Sequence, residues 1–171
     1  MRRPSSRVSD PDPSEPEQAE QFKEAYNRTL GLIARRDHSA AELRRKLSSR
    51  GYPEEVCERV LAQLQERGLQ NDHTFAEEYI ESKLRRGFGP VKIAAELQQH
   101  AIERETVAEL LAEQDDQWLD RCREVMVRKY GHSVAADHGE RSRRSRFLQQ
   151  RGFSSSMVAK VIRDVIPEEL E

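Results

Sequence analysis

The residues able to do chemistry in this chain are cations, and they arrive in clusters. Arg35, Arg36, Arg44, Arg45, Lys46 and Arg50 crowd one short stretch against only Asp37 and Glu42. Arg85, Arg86 and Lys92 stand at the equivalent place about 50 residues on, a spacing typical of repeat architectures. A third cluster holds Arg141, Arg143, Arg144, Arg146 and Arg151. Between them lie carboxylates, Glu54, Glu55 and Glu58 and then Glu103, Glu105, Glu109 and Glu113. The net charge of −2 hides this separation. Guanidinium and ammonium groups banded in this way suit phosphates or an acidic protein surface. Any single arginine reads equally well as part of a solvated helix face; the recurrence in three places favours a binding surface.

Catalysis finds no comparable support. His38, His73, His100, His132 and His138 never fall four apart on one helix, and no CxxC accompanies them. His132, Asp137 and His138 share a loop, which reads as a polar surface loop before a metal site. No G-x-S-x-G and no phosphate-cradling glycine loop occurs. The expectation is a non-enzymatic chain without catalytic residues, cofactor or metal. Cys57 and Cys122 sit on or beside apolar stripes and read as small core residues.

The cations ride on helices. Ser39 followed by Glu42 is a capping box, and Ala40, Leu43 and Leu47 then repeat along one helical face. Arg50-Gly51 stops that helix, Pro53 starts another, and Val56, Val60, Leu61 and Leu64 form its apolar stripe. Two such helices cannot bury their faces alone. Leu43, Leu47, Tyr52, Val60 and Leu61 recur in order as Ile93, Leu97, Ile102, Leu110 and Leu111, and again in part as Leu148, Phe153 and Val161. A longer stripe precedes each pair: Phe22, Tyr26, Leu30 and Ile33; Phe75 and Tyr79; Trp118, Cys122, Val125 and Met126.

The unit is therefore three helices, used three times. The predicted fold is all-α, three tandem three-helix repeats over 17–70, 71–114 and 115–166 in an elongated, curved array. Each repeat is expected to hold its own small core. Residues 1–16, rich in proline and poor in apolar side chains, are expected to be disordered. With 36% apolar and 35% charged residues, thin local cores fit better than one thick one. No apolar run approaches a membrane span and no secretion signal is evident, so the expected location is cytoplasmic. The Gly87-Phe88-Gly89-Pro90 stretch reads as a defined turn rather than a linker.

A helix-turn-helix factor would insert the start of its second helix into the major groove. Here those starts are Pro53-Glu54-Glu55 and Glu103-Arg104-Glu105, which phosphates would repel. Direct base readout is disfavoured; backbone or protein contact survives.

The run Ala34-Arg35-Arg36-Asp37-His38-Ser39, followed by Glu42-Leu43-Arg44-Arg45-Lys46-Leu47, resembles the signature of the RecX regulatory proteins. So do Asn71-Asp72 with Phe75-Ala76, then Gly87-Phe88-Gly89-Pro90 with Ile93 and Glu96-Leu97, and Phe147-Leu148 with Arg151-Gly152-Phe153. The resemblance covers about residues 20–165. It implies tandem three-helix repeats and a partner, the RecA filament on single-stranded DNA, whose ATPase, strand exchange and growth such proteins restrain. It also implies weak contact with single- or double-stranded DNA, and the chain is expected to act as a monomer without membrane association. The rival reading is a non-specific DNA-binding helical repeat protein without a RecA partner. Arg144 departs from the pattern by standing where Leu43 and Ile93 are apolar, so looser packing or a register shift is expected there. Ala101 replaces the turn glycine seen at Gly51 and Gly152, leaving the turn geometry of the second repeat open. Asn71 replaces an acidic residue common at its position.

Overall fold

The computed structural model describes residues 15–164. Among the described residues nine helices follow one another: α1 (Glu15–Ile33), α2 (Ala40–Ser48), α3 (Glu54–Glu66), α4 (Asp72–Arg85), α5 (Pro90–Gln99), α6 (Arg104–Ala112), α7 (Trp118–Tyr130), α8 (His138–Gln150) and α9 (Ser155–Asp164). A single 3-10 turn, Asp115–Gln117, leads into α7, and no strand occurs among the described residues. The all-helical, three-by-three pattern is as the apolar stripes predict. The tail expected over 1–16 lies outside the described residues, apart from Glu15 and Pro16, which begin α1.

Local chemistry explains the helix ends. Ser39 Oγ accepts from the Glu42 amide at 3.2 Å, half of the capping box. The Glu42 carboxylate accepts from Arg36. Asn71 Oδ1 caps α4 by accepting from the His73 and Thr74 amides. Asp137 Oδ1 caps α8 by accepting from the Glu140 amide at 2.7 Å, so this loop carboxylate already has a structural role.

The chain divides into two compact units, one running to Gln70 and one from Asn71. In the first, α1 and α2 both pack on α3. Ala25, Leu43, Leu47, Val56, Cys57, Val60, Leu61 and Leu64 form its core, with Phe22, Tyr26, Leu30 and Tyr52 packed around it. In the second unit α4 and α5 pack with α6, while α7 and α8 pack with α9. One continuous core runs from Phe75 and Ile80 through Ile93, Leu97 and Trp118 to Leu148, Phe153 and Val161. Three separate cores were the expectation from the sequence; the second and third repeats instead share one. Two features join them. Trp118 is buried and its indole N–H donates to the Leu111 carbonyl at 3.2 Å. The α8–α9 turn also lies directly on the start of α5: the amides of Gly89 and Val91 donate to the carbonyls of Arg151 and Gly152 at 2.8 and 3.0 Å.

Tyr52, Ile102 and Phe153 occupy equivalent places after the middle helices. Each backbone N–H donates to the carbonyl five residues earlier, Leu47, Leu97 and Leu148 respectively. The second repeat keeps this turn without its glycine, because Ala101 itself adopts a left-handed φ of 59°.

Arg144 corrects two expectations. It is only 2% exposed, so it is not a surface cation, and α8 neither loosens nor slips around it. Its guanidinium pairs with Glu140 at 2.5 Å and donates to the Ser133 carbonyl at 2.6 Å. The ring of Tyr130 lies 5.1 Å away. A long stem with a fully engaged head thus takes the place of Leu43 and Ile93, both wholly buried.

Both cysteines are buried and free. Burial pushes the Cys122 thiol up to about 12, which leaves it protonated and unreactive at neutral pH.

Candidate functional site

In the first unit the basic cluster is largely answered by its own carboxylates. Arg36 grips Glu42 with both terminal nitrogens, at 3.1 and 2.5 Å, and Lys46 approaches the same carboxylate at 3.8 Å. Burial works to raise the Glu42 carboxyl, but hydrogen bonding from Arg36 and the nearby His38 and Lys46 outweigh it and hold it below the ordinary value. Arg44 pairs with Glu54 at 3.5 Å and with Glu58. The acidic face of α3 therefore does not turn away from the basic face of α2; the two meet. Arg50 donates to the Lys46 carbonyl at 3.0 Å. Arg35 and Arg45 are exposed and pair with no carboxylate among the described residues.

Beneath this cluster His38 is buried, with its Nδ1–H donating to the Arg36 carbonyl at 2.8 Å. Burial lowers its pKa below the ordinary 6.5, against the opposing pull of that hydrogen bond and of Glu42 at 3.8 Å. The role is structural: a neutral imidazole ties the α1–α2 connection, whose carbonyl at His38 also accepts from Gln70.

The second unit is arranged differently. Arg85 pairs with Glu81 on its own helix, and Lys83 pairs with Glu96, which also accepts from the Tyr79 hydroxyl at 2.7 Å. Around Phe88 the cations Arg86, Lys92 and Arg151 are held by the ring instead, and Lys83, already paired with Glu96, also lies over it. Lys83, Arg86, Lys92 and Arg151 lie 5.1, 5.4, 4.8 and 5.2 Å from its centroid. Cations are drawn to the negative face of an aromatic ring, which orients them without neutralising them. Arg151 is fixed further, since its Nη1 donates to the Arg86 carbonyl at 2.9 Å. Beside it stand Arg128 and Lys129, from the last turn of α7, with Lys129 4.4 Å from the Phe147 centroid. Arg86, Lys92, Arg128, Lys129 and Arg151 pair with no carboxylate among the described residues.

The fold therefore brings Arg86, Lys92 and Arg151 together across two repeats. Arg141, Arg143 and Arg146 stay exposed along α8, and Arg144 is withdrawn inside. Arg128 and Lys129 escaped the sequence reading. Their signal was present: Arg35-Arg36, Arg85-Arg86 and Arg128-Lys129 all stand at or just past the end of the first helix of a repeat. The long loop after Tyr130 obscured that correspondence. No group of three or more His, Cys, Asp or Glu side chains placed to hold a metal ion occurs among the described residues. No helix among them is long and apolar enough to cross a membrane.

Comparison with known proteins places this architecture. Family models described as the first, second and third three-helix domains of RecX match residues 25–64, 71–111 and 115–162. The chain is 40% identical over 129 residues to the regulatory protein RecX of Halorhodospira halophila, covering 75% of this chain and 80% of that one. It is 37% identical over 139 residues to that of Pseudomonas fluorescens, covering 81% and 90%. The crystal structure of RecX from Lactobacillus salivarius superposes with a TM-score of 0.73 at 20% identity, over 86% of this chain and 97% of that one.

Proposed function

The chain belongs to the RecX family of regulatory proteins, and from that premise we propose that it binds the RecA filament on single-stranded DNA and restrains it. In this reading it lowers RecA ATPase, strand exchange and filament growth, and so modulates recombination, DNA repair and the SOS response. It works in the cytoplasm, as a monomer, through contacts rather than catalysis. One observation carries the proposal beyond family membership: exposed cations recur in every repeat, at Arg35 and Arg45, at Arg86, and at Arg141, Arg143 and Arg146. A filament of acidic protein surfaces and DNA phosphates is a partner that such a distributed surface can follow from protomer to protomer. Screening at physiological salt acts over roughly 8 Å, so contacts of this kind weaken steeply as salt rises.

The test is RecA ATPase on single-stranded DNA across a salt series, with the chain and with a variant carrying Arg35→Glu, Arg45→Glu and Arg50→Glu, three exposed cations that pair with no carboxylate among the described residues. Each exposed charge is worth at most about 1 kcal/mol, so the triple change is the fair probe. Loss of inhibition with helical content intact supports the reading. Inhibition equal to the unaltered chain refutes the role of this cluster. Co-sedimentation with bare DNA but never with RecA filaments overturns the RecA partnership and leaves a general DNA-binding repeat protein.

A further inference from the structure

We propose that the acidic segment after α9, residues 165–171, folds back on the cleft formed by Arg86, Arg128, Lys129 and Arg151 and occupies it in the free chain. The four cations line one cavity of about 150 Å³ within the second unit, with Gly87, Val125 and Phe147 as its remaining walls. No carboxylate lines the cleft, and none among the described residues pairs with any of the four. Like charges gathered around so small a space repel one another until an anionic group joins them. The sequence supplies such groups close by. Asp164, the last residue of α9, is followed by Val165-Ile166-Pro167-Glu168-Glu169-Leu170-Glu171, with three carboxylates and no cation.

The segment starts within reach. α9 begins just after the turn that carries Arg151, packs on α7, and ends where the Asp164 carboxylate accepts from Arg123 at 3.2 Å. Arg128 stands further along α7, about 7.5 Å from Arg123 at the helical rise. An extended chain covers about 3.3–3.6 Å per residue, so Glu168 can reach about 14 Å from Asp164 and Glu171 about 24 Å. Pro167 has no amide hydrogen and disfavours helical geometry at Ile166, which suits the segment to leave the axis of α9.

The chemistry of the two parts matches. A guanidinium takes a carboxylate through paired donors. Arg151 is already positioned for this by its bond to the Arg86 carbonyl and by Phe88 and Phe147, 5.2 and 5.3 Å away. Leu170, between Glu169 and Glu171, suits the apolar part of the wall, Val125 and Phe147. A short tether holds the carboxylates at an effective concentration of about millimolar, so a contact too weak to form between separate molecules is populated. The contact is a brake: any acidic partner of the cleft must first displace the chain's own segment. The competing arrangement pairs the same carboxylates with Lys160 and Arg163, exposed on α9 itself. Neither RecA nor DNA enters the inference or its test.

The experiment places a nitroxide on the full chain through Glu171→Cys and reads the amide signals of the second unit by NMR. Cys57 and Cys122 are buried, so the label attaches at the introduced thiol. At low salt the amides of Arg128, Lys129 and Arg151 should lose intensity by about twofold relative to the reduced label, and recover in 1 M salt, where screening acts over about 3 Å. Arg128→Glu with Lys129→Glu, both exposed positions, should abolish the loss at low salt. Glu168→Lys with Glu169→Lys should abolish it too, and combining the two pairs of changes should restore it. This second pair leaves every residue of the cleft intact, so the test holds even where the first pair disturbs folding. A chain with Glu168→Gln, Glu169→Gln and Glu171→Gln should bind the free peptide Val-Ile-Pro-Glu-Glu-Leu-Glu about threefold more tightly than the unaltered chain, as for a cleft about two-thirds self-occupied. Full intensity at the cleft with losses confined to α9 overturns the proposal and assigns the segment to Lys160 and Arg163. Losses at the cleft that survive either charge reversal, or equal peptide binding by the two chains, also overturn it.

Discussion

Gly89 and Gly152 meet backbone to backbone: a Cβ added to Gly89 would lie 2.5 Å from the Gly152 carbonyl carbon. A Cβ on Gly152 would lie 2.3 Å from that of Lys92. Only two glycines allow the α8–α9 turn to reach the start of α5 and cap it through the Arg151 and Gly152 carbonyls. This contact makes one body of the second and third repeats.

Gly152→Ala should accordingly be far more damaging than Gly51→Ala. Both glycines have left-handed φ, 94° and 85°, but Gly51 faces open space. The Gly51 change carries only the backbone cost of about 1–2 kcal/mol. The Gly152 change adds overpacking of about 1–3 kcal/mol. The sole tryptophan, Trp118, sits in the shared core, so its fluorescence reports the second unit. Tryptophan emission should show a markedly lower denaturant midpoint for Gly152→Ala, while the first-unit transition followed by circular dichroism should fall less for Gly51→Ala; equal shifts would refute the close-approach argument.

Ala101→Gly should stabilise the second unit. A left-handed alanine is strained by about 1–2 kcal/mol, and glycine returns part of that gain by loosening the unfolded chain. The net expectation is a gain of about 0.5–1 kcal/mol, read as a higher melting temperature. A lower one would mean that this turn carries no strain.

Arg144→Ala should destabilise the second unit by about 2 kcal/mol, since it leaves Glu140 and the Ser133 carbonyl without their donor and opens a void. Arg144→Leu restores the side-chain type found at the equivalent Leu43 and should lose less. Equal melting temperatures for the two variants would show that packing at this site is unimportant.

His38 should titrate below 6.5, because burial disfavours the imidazolium more than Glu42 favours it. The folded pKa is the lower one, so the contribution to stability is present above the unfolded value near 6.5. It is lost as pH falls through the folded value. An NMR titration of the imidazole checks the direction. Acidifying from pH 7.5 to 5 should cost the unaltered chain more melting temperature than His38→Gln; a folded pKa above 6.5 would reverse that order.

The sequence by itself determined the helices and their kinship. Apolar spacing at Leu43, Leu47, Val60 and Leu64 and at their later copies is a local property, and the 3.6-residue period converts it directly into buried faces. Stop signals such as Arg50-Gly51 and Gly87-Phe88-Gly89-Pro90 act within a few residues and were legible for the same reason. The clustering of cations was also plain, but their electrostatic state was not. Whether Arg44 is free depends on the distance to Glu54 and Glu58 across a turn, and whether Arg144 is exposed depends on Glu140 and Ser133 beside it. Composition could not show that Gly89 and Gly152 touch, because close approach is a relation between distant backbones and leaves no periodic trace. Only the tertiary structure joined two repeats into one core and set Arg128 and Lys129 beside Arg151. Helix faces follow from neighbours in the chain; a cleft follows from how those faces are pressed together.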